Sequence, residues 1–169
     1  MNLKDYIIDV PNFPKPGITF KDISPLLNQP EAFKHVIDLM SEHAKDANMV
    51  VAPDARGFIF GTPVAYATHK PFIMVRKPGK LPGQTVKQNY DLEYGTNSLE
   101  IQVNVLKPGT NAVIVDDVLA TGGTVKAIID LLNSQGIKVT KLIVLYELKA
   151  LNGREKLPKD IEIISLISE

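Results

Sequence analysis

The stretch Val113-Ile114-Val115-Asp116-Asp117-Val118-Leu119-Ala120-Thr121-Gly122-Gly123-Thr124 decides the fold class. Apolar, β-branched residues lead into two adjacent carboxylates, then a small glycine-rich turn, then a run compatible with a helix. That order reads as a buried parallel strand ending at a tight turn and a helix. Gly122 and Gly123 let the backbone take positive φ and come close to a ligand. The N–H groups from Ala120 to Thr124 open the helix, where unpaired donors and the helix dipole favour an anion. Thr121 and Thr124 add hydroxyl donors. The spacing matches neither the P-loop nor the Gly-x-Gly-x-x-Gly fingerprint, which disfavours nucleoside triphosphate and dinucleotide folds. Acids for hydroxyls or a metal beside a phosphate cradle suit a phosphorylated sugar.

Outward from this stretch, strands alternate with helices. Phe33, Val36, Ile37, Met40 and Ala44 recur at helical spacing, which predicts a helix over 31–46. Met49–Ala52 is a short apolar strand. A helix is expected over 57–68, in which Pro63 is tolerable in the first turn. Further strands are expected at 72–75, 111–116, 139–145 and 161–166, with a helix from 124 to 134 that stops at Gly136, a suitable left-handed cap. The proline-rich stretch Pro11–Gly17 reads as an ordered N-terminal arm. This alternation predicts an α/β protein with a parallel twisted sheet flanked by helices. Ligands of such sheets sit outside the carboxyl ends of the strands, which gathers loops 53–57, 76–95 and 116–124.

Composition narrows the classes. The 169 residues fit one domain, long enough to bury about 70% of the unfolded surface. Nineteen basic and nineteen acidic residues balance, so no general attraction to nucleic acid is indicated. The chain has no cysteine, which excludes disulfides, thiolate metal sites and a cysteine nucleophile. Its first residues lack an export signal and no apolar run approaches the ~20 residues that cross a bilayer. A cytoplasmic protein without membrane or nucleic-acid partners is expected. His35, His43 and His69 are not spaced as a metal site.

The candidate site residues follow from the loops. Arg56 carries a planar fork suited to a diphosphate. Segment 76–95 holds Arg76, Lys77, Lys80 and Lys87 among glycines and prolines, and at 20 residues it is longer than most loops, as lids are.

Residues 113–124 resemble the phosphoribosyl-pyrophosphate motif of the type I phosphoribosyltransferases. Asn12–Ile18, Asp54–Phe58, Val75–Gly83, Leu92–Gly95 and Leu151–Glu155 further resemble segments of the adenine phosphoribosyltransferases. The resemblance implies that family's fold, with a small N-terminal hood over about residues 1–30 contributing to the base pocket, and a flexible lid. It implies transfer of the 5-phosphoribosyl group to adenine, giving AMP and pyrophosphate in purine salvage.

By the same resemblance, Asp116 and Asp117 engage ribose hydroxyls, and Ala120, Thr121, Gly122, Gly123 and Thr124 hold the 5′-phosphate. Asp54, Ala55, Arg56 and Gly57 form the pyrophosphate loop, and Arg76, Lys77 and Lys80 contact phosphate. Glu93 handles a proton on the purine and Tyr94 contacts it, while Ile18, Thr19, Phe20 and Lys21 line the base. Lys21 stands where the family commonly has arginine, and Thr19 where a bulkier apolar residue is common. Mg²⁺ arrives with the substrate, held by pyrophosphate, ribose oxygens and water rather than by a protein metal site, and a homodimer is implied. The alternatives are a phosphoribosyltransferase for xanthine or hypoxanthine, or a catalytically inactive regulator that senses phosphoribosyl pyrophosphate. The match begins near residue 11, which leaves no room for the DNA-binding domain such regulators usually add.

Overall fold

The computed structural model describes residues 1–92 and 95–169. The chain divides into two compact units, Met1–Leu39 and Met40–Glu169.

In the first unit, a 3₁₀ turn over Leu3–Tyr6 is followed by strands β1 (Ile8–Val10) and β2 (Phe20–Asp22), which pair antiparallel. The proline-rich arm is the connection between them. It is ordered by hydrogen bonds: the Phe13 N–H donates to the Ile18 carbonyl at 3.0 Å and the Gly17 N–H to the Asn12 side chain at 2.9 Å. Helices α1 (Ser24–Leu27) and α2 (Pro30–Ala44) follow, the latter running on into the second unit.

The second unit contains, in chain order, β3 (Met49–Pro53), α3 (Arg56–Thr68), β4 (Phe72–Val75), β5 (Thr85–Leu92), β6 (Gly95–Gln102), β7 (Asn111–Leu119), α4 (Gly123–Ser134), β8 (Lys138–Glu147) and β9 (Glu162–Ser168). Five strands form one parallel sheet in the order β4-β3-β7-β8-β9. Its central members read as continuous apolar runs because both faces are covered. Strand alternation sends Val51, Ile114 and Val144 to the α4 side, where they pack with Val125, Ile128, Ile129 and Leu132 in one buried cluster. Ala52 faces α3 on the other side, where Gly61 lets helix and strand approach.

Gly61 therefore carries the first expected result. Alanine is the better helix former by about 1 kcal/mol. Yet a Cβ at this position would stand 2.7 Å from both the Ala52 Cβ and a ring carbon of Phe72. Overpacking of this kind costs about 1–3 kcal/mol, so the clash outweighs the propensity. Gly61→Ala is expected to lower the melting temperature; an unchanged or raised value in a thermal melt would refute the close approach.

Two features depart from the sequence reading. Pro63 lies in the interior of α3 rather than its first turn, because the helix already begins at Arg56. It removes one backbone donor there, while the Thr62 hydroxyl donates to the Phe58 carbonyl at 2.6 Å. The segment expected as one loop over 76–95 is loop only to Gln84. From Thr85 it becomes β5, paired antiparallel with β6 from Thr85↔Gln102 to Leu92↔Gly95. The inward faces of this hairpin explain it: Leu99 and Ile101 are buried with Ile73 and Val75, and Val86 and Tyr90 pack against the same cluster.

Candidate active site

Pro53, Val75 and Leu119 end parallel strands at the same edge of the sheet, so the chain leaving each of them arrives at one place. The Asp54 N–H still donates to the Val75 carbonyl at 3.0 Å. The Asp54–Ala55 peptide is cis, and α3 starts directly after it at Arg56.

Strand β7 runs on to Leu119, beyond the expected end at Asp116, so the two acids belong to the strand rather than to the turn. Both nevertheless reach the amino end of α3. Asp117 Oδ2 lies 2.5 Å from Arg56 Nε, with both side chains largely shielded from solvent. Asp116 is 8% exposed, and its Oδ1 accepts the Asp117 N–H at 2.8 Å. Burial, and next the neighbouring Asp117 charge, push the Asp116 carboxyl well above the ordinary carboxylate range. Hydrogen bonding with the Asp117 side chain acts in the same direction, while the Asp117 N–H and the Arg56 charge pull against it.

The turn after β7 is where the sequence reading expects an anion cradle. Gly122 has φ +87° and is the N-cap of α4, and no described side chain caps that helix. Its first N–H groups are therefore left for a ligand. Asp116 and the run Val118–Val125 line a cavity of about 90 Å³ at this end.

On the opposite flank, Arg76 Nε donates to Asp54 Oδ2 at 3.1 Å. The loop that follows is shaped by Glu100 of β6. Its carboxylate accepts the Gly79 N–H at 2.9 Å and the Thr85 hydroxyl at 2.6 Å, and these bonds, the Thr85 one foremost, hold its pKa below the ordinary value. The Arg76 and Glu100 backbones also bond to each other in both directions. Lys77 and Lys80 are carried exposed on this braced loop. Lys87 is not part of it; it lies on β5 across from Glu100.

The structure thus brings Asp54, Ala55, Arg56, Arg76, Asp116, Asp117 and the 120–124 turn to one edge. Ile18, Thr19, Phe20 and Lys21 belong to the first unit. There Phe20 meets Phe13 edge-on with ring centroids 5.3 Å apart, and Lys21 Nζ lies 2.7 Å from Asp9 Oδ1. Glu93 and Tyr94 lie outside the described residues. One contributor escaped the sequence reading, and one residue of the expected pyrophosphate loop has a packing role that the sequence did not show. Gly57 packs where a Cβ would stand 2.9 Å from Asp116 Oδ1, and Glu100 braces the basic loop. Only the glycine directly after Arg56 left a trace in the sequence; nothing marks Glu100 among other charged strand residues.

The Asp116–Asp117 pair also fits what magnesium asks of a protein. That ion keeps several waters and takes one or two carboxylates together with substrate phosphates.

Comparison with known proteins places the chain. Residues 22–168 match the phosphoribosyl transferase domain. The chain is 61% identical to the adenine phosphoribosyltransferase of Mycoplasmopsis agalactiae over 168 residues, 99% of each. The crystal structure of adenine phosphoribosyltransferase from Thermoanaerobacter pseudethanolicus superposes with a TM-score of 0.94 at 47% identity, covering 99% of this chain and 98% of that one. The Saccharomyces cerevisiae enzyme, complexed with an imino-altritol bisphosphate and adenine, gives 0.92 at 36% identity over 97% and 96% of the two chains. This chain belongs to the adenine phosphoribosyltransferases, within the phosphoribosyl transferase family.

Proposed function

We propose that this protein transfers the 5-phosphoribosyl group from phosphoribosyl pyrophosphate to adenine, releasing AMP and pyrophosphate in purine salvage. The observation that carries the reading is the meeting of three loops at one sheet edge: an acid pair, an uncapped helix start behind Gly122, and two arginines. The 61% identity to a protein named adenine phosphoribosyltransferase supports the choice of base.

Each part has a task that its chemistry suits. The Ala120–Thr124 backbone and the Thr121 and Thr124 hydroxyls hold the 5′-phosphate. Asp116 and Asp117 bind the ribose hydroxyls, and Ala55, Arg56, Arg76, Lys77 and Lys80 bind the pyrophosphate. In the transfer, adenine N9 bonds to C1′ while the C1′–O bond breaks, its electron pair leaving on pyrophosphate. The base gives up one ring proton. Fixed arginines and lysines stabilise the charge that develops on the leaving group, and the sugar is held in line between the two halves. Loop 76–84 excludes water from the activated sugar. Glu93 handles the ring proton and Tyr94 contacts the purine, with Ile18–Lys21 lining the base.

Magnesium, bound with the substrate, would neutralise phosphate charge, with Asp116 and Asp117 meeting it through ribose oxygens or water. The protein works as a homodimer in the cytoplasm; among the described residues no helix is long and apolar enough to cross a membrane.

Each purine offered with magnesium and phosphoribosyl pyrophosphate tests the reading through pyrophosphate release. Release with adenine is expected. Release with hypoxanthine and not adenine would reassign the base, and release with none would favour a sensor. Glu93→Gln is expected to lower kcat by about 100-fold, in the range of general acid–base help; a folded variant with full turnover removes that role.

A further inference from the structure

The end of β8 carries a buried carboxylate that the proposed reaction does not use. Glu147 is 3% exposed. It accepts a fork from Arg154, Nε to Oε2 at 2.7 Å and Nη2 to Oε1 at 2.8 Å, and the Ser165 hydroxyl at 2.7 Å. The carboxylate is buried but the Arg154 side chain is half exposed, so the pair itself contributes little net stability, while its bidentate geometry fixes orientation.

What it orients is the neighbour of Arg154. Gly153 opens a 3₁₀ turn over Gly153–Lys156, and its backbone lies against the phosphate turn with no room for a side chain on either partner. A Cβ on Gly153 would stand 2.4 Å from the Ala120 carbonyl oxygen, and a Cβ on Gly122 would stand 2.6 Å from the Gly153 carbonyl oxygen. The attachment to the sheet is direct: Glu147 is in register with Leu119, and the Leu148 N–H donates to the Leu119 carbonyl at 3.0 Å. The segment from 148 to 154 thus leaves β8, folds over the end of β7 and is tied back to its own origin by the Arg154–Glu147 fork.

We propose that Arg154, acting through Glu147 and Gly153, is a positioning residue for the 120–124 turn, and that this buttress sets the affinity for the ribose 5-phosphate end of the substrate. This rests on the reading of that turn as the 5′-phosphate cradle. The fork holds Gly153 in place, and Gly153 limits where Ala120 and Gly122 can go. The pyrophosphate loops at 54–57 and 76–80 lie outside this chain of contacts, so the two ends of the substrate should respond differently.

The test titrates the full-length protein separately with ribose 5-phosphate and with pyrophosphate, alongside thermal melts. Arg154→Lys keeps the charge and loses the fork; Gly153→Ala drives a Cβ into the Ala120 carbonyl. Both are expected to weaken ribose 5-phosphate about tenfold while pyrophosphate stays within about twofold, as losses of outer-shell support do. In turnover the KM for phosphoribosyl pyrophosphate rises and that for adenine does not. Ser165→Ala removes a single bond to Glu147 and gives a smaller selective loss, which keeps the test open if the other variants do not fold.

Unchanged affinities in the folded variants, or both affinities falling in step with the melting temperature, would overturn the buttress. Thr124→Ala is the reference. If it leaves ribose 5-phosphate binding intact, the cradle assignment itself fails. If it weakens binding and the buttress variants do not, only the buttress fails.

Discussion

Gly57→Ala is expected to lower kcat/KM for phosphoribosyl pyrophosphate by about 100-fold, the scale of a misplacement near 1 Å at a reacting centre. Gly57 is in the first turn of α3, so helix propensity alone predicts a gain of up to about 1 kcal/mol on substitution. Space decides otherwise. The new Cβ would meet Pro53 Cδ at 2.8 Å and Asp116 Oδ1 at 2.9 Å. Pro53 ends a buried strand and cannot yield, so the Asp116 carboxyl must move or α3 must lift. Either response disturbs the acid pair and the Arg56–Asp117 contact together. Steady-state kinetics with a parallel thermal melt reads both; full activity would show that Asp116 is not held where the ribose is bound.

Asp116→Asn is expected to separate activity from stability. The side chain keeps its shape and an acceptor for the Asp117 N–H, but it cannot ionise. Activity should fall by about 10- to 100-fold, the loss of a charged hydrogen bond of about 1.5–3 kcal/mol. Stability moves the other way, and the sign follows from the raised pKa of the native carboxyl. A group titrating higher in the folded chain than in the unfolded one contributes its full stability below the unfolded value, about 3.9. That contribution is lost as pH rises through the folded value, at up to about 1.4 kcal/mol per pH unit. The ligand-free wild type should therefore lose melting temperature relative to Asp116→Asn as pH is raised above the unfolded value. Parallel pH profiles of the two proteins would refute the raised carboxyl.

Strands of the central sheet were legible because burial on both faces leaves no alternative to apolar, β-branched runs such as Val113–Val115. The hairpin was not. Its solvent face carries Lys87, Asn89 and Asp91, and its inward face includes Gln88, so the period-2 pattern that marks a strand is diluted to near invisibility. The short ribbon of β1 and β2 hides for a related reason, since three residues are too few to show a period. At the site, the acids and glycines of 116–124 were readable because ligand chemistry dictates them locally. Gly153 was not, because its role depends on a residue at position 122 that only folding brings near. Glu100 was equally silent: its brace on Gly79 and Thr85 exists only once β6 has paired.

The two arginines at the sheet edge already have anions, Asp117 for Arg56 and Asp54 for Arg76. If both arginines hold the pyrophosphate, as proposed, the protein without substrate is its own first ligand, and binding a diphosphate would be an exchange of one partner for another. An entering anion has to outcompete a preorganised carboxylate at each arginine. A singly charged ion in the surrounding salt offers no advantage in that contest, whereas a diphosphate engages both forks at once and is favoured by its valency. Asp117, displaced from Arg56, would then be released for the ribose and its metal, so the handover would ready one half of the pocket by filling the other.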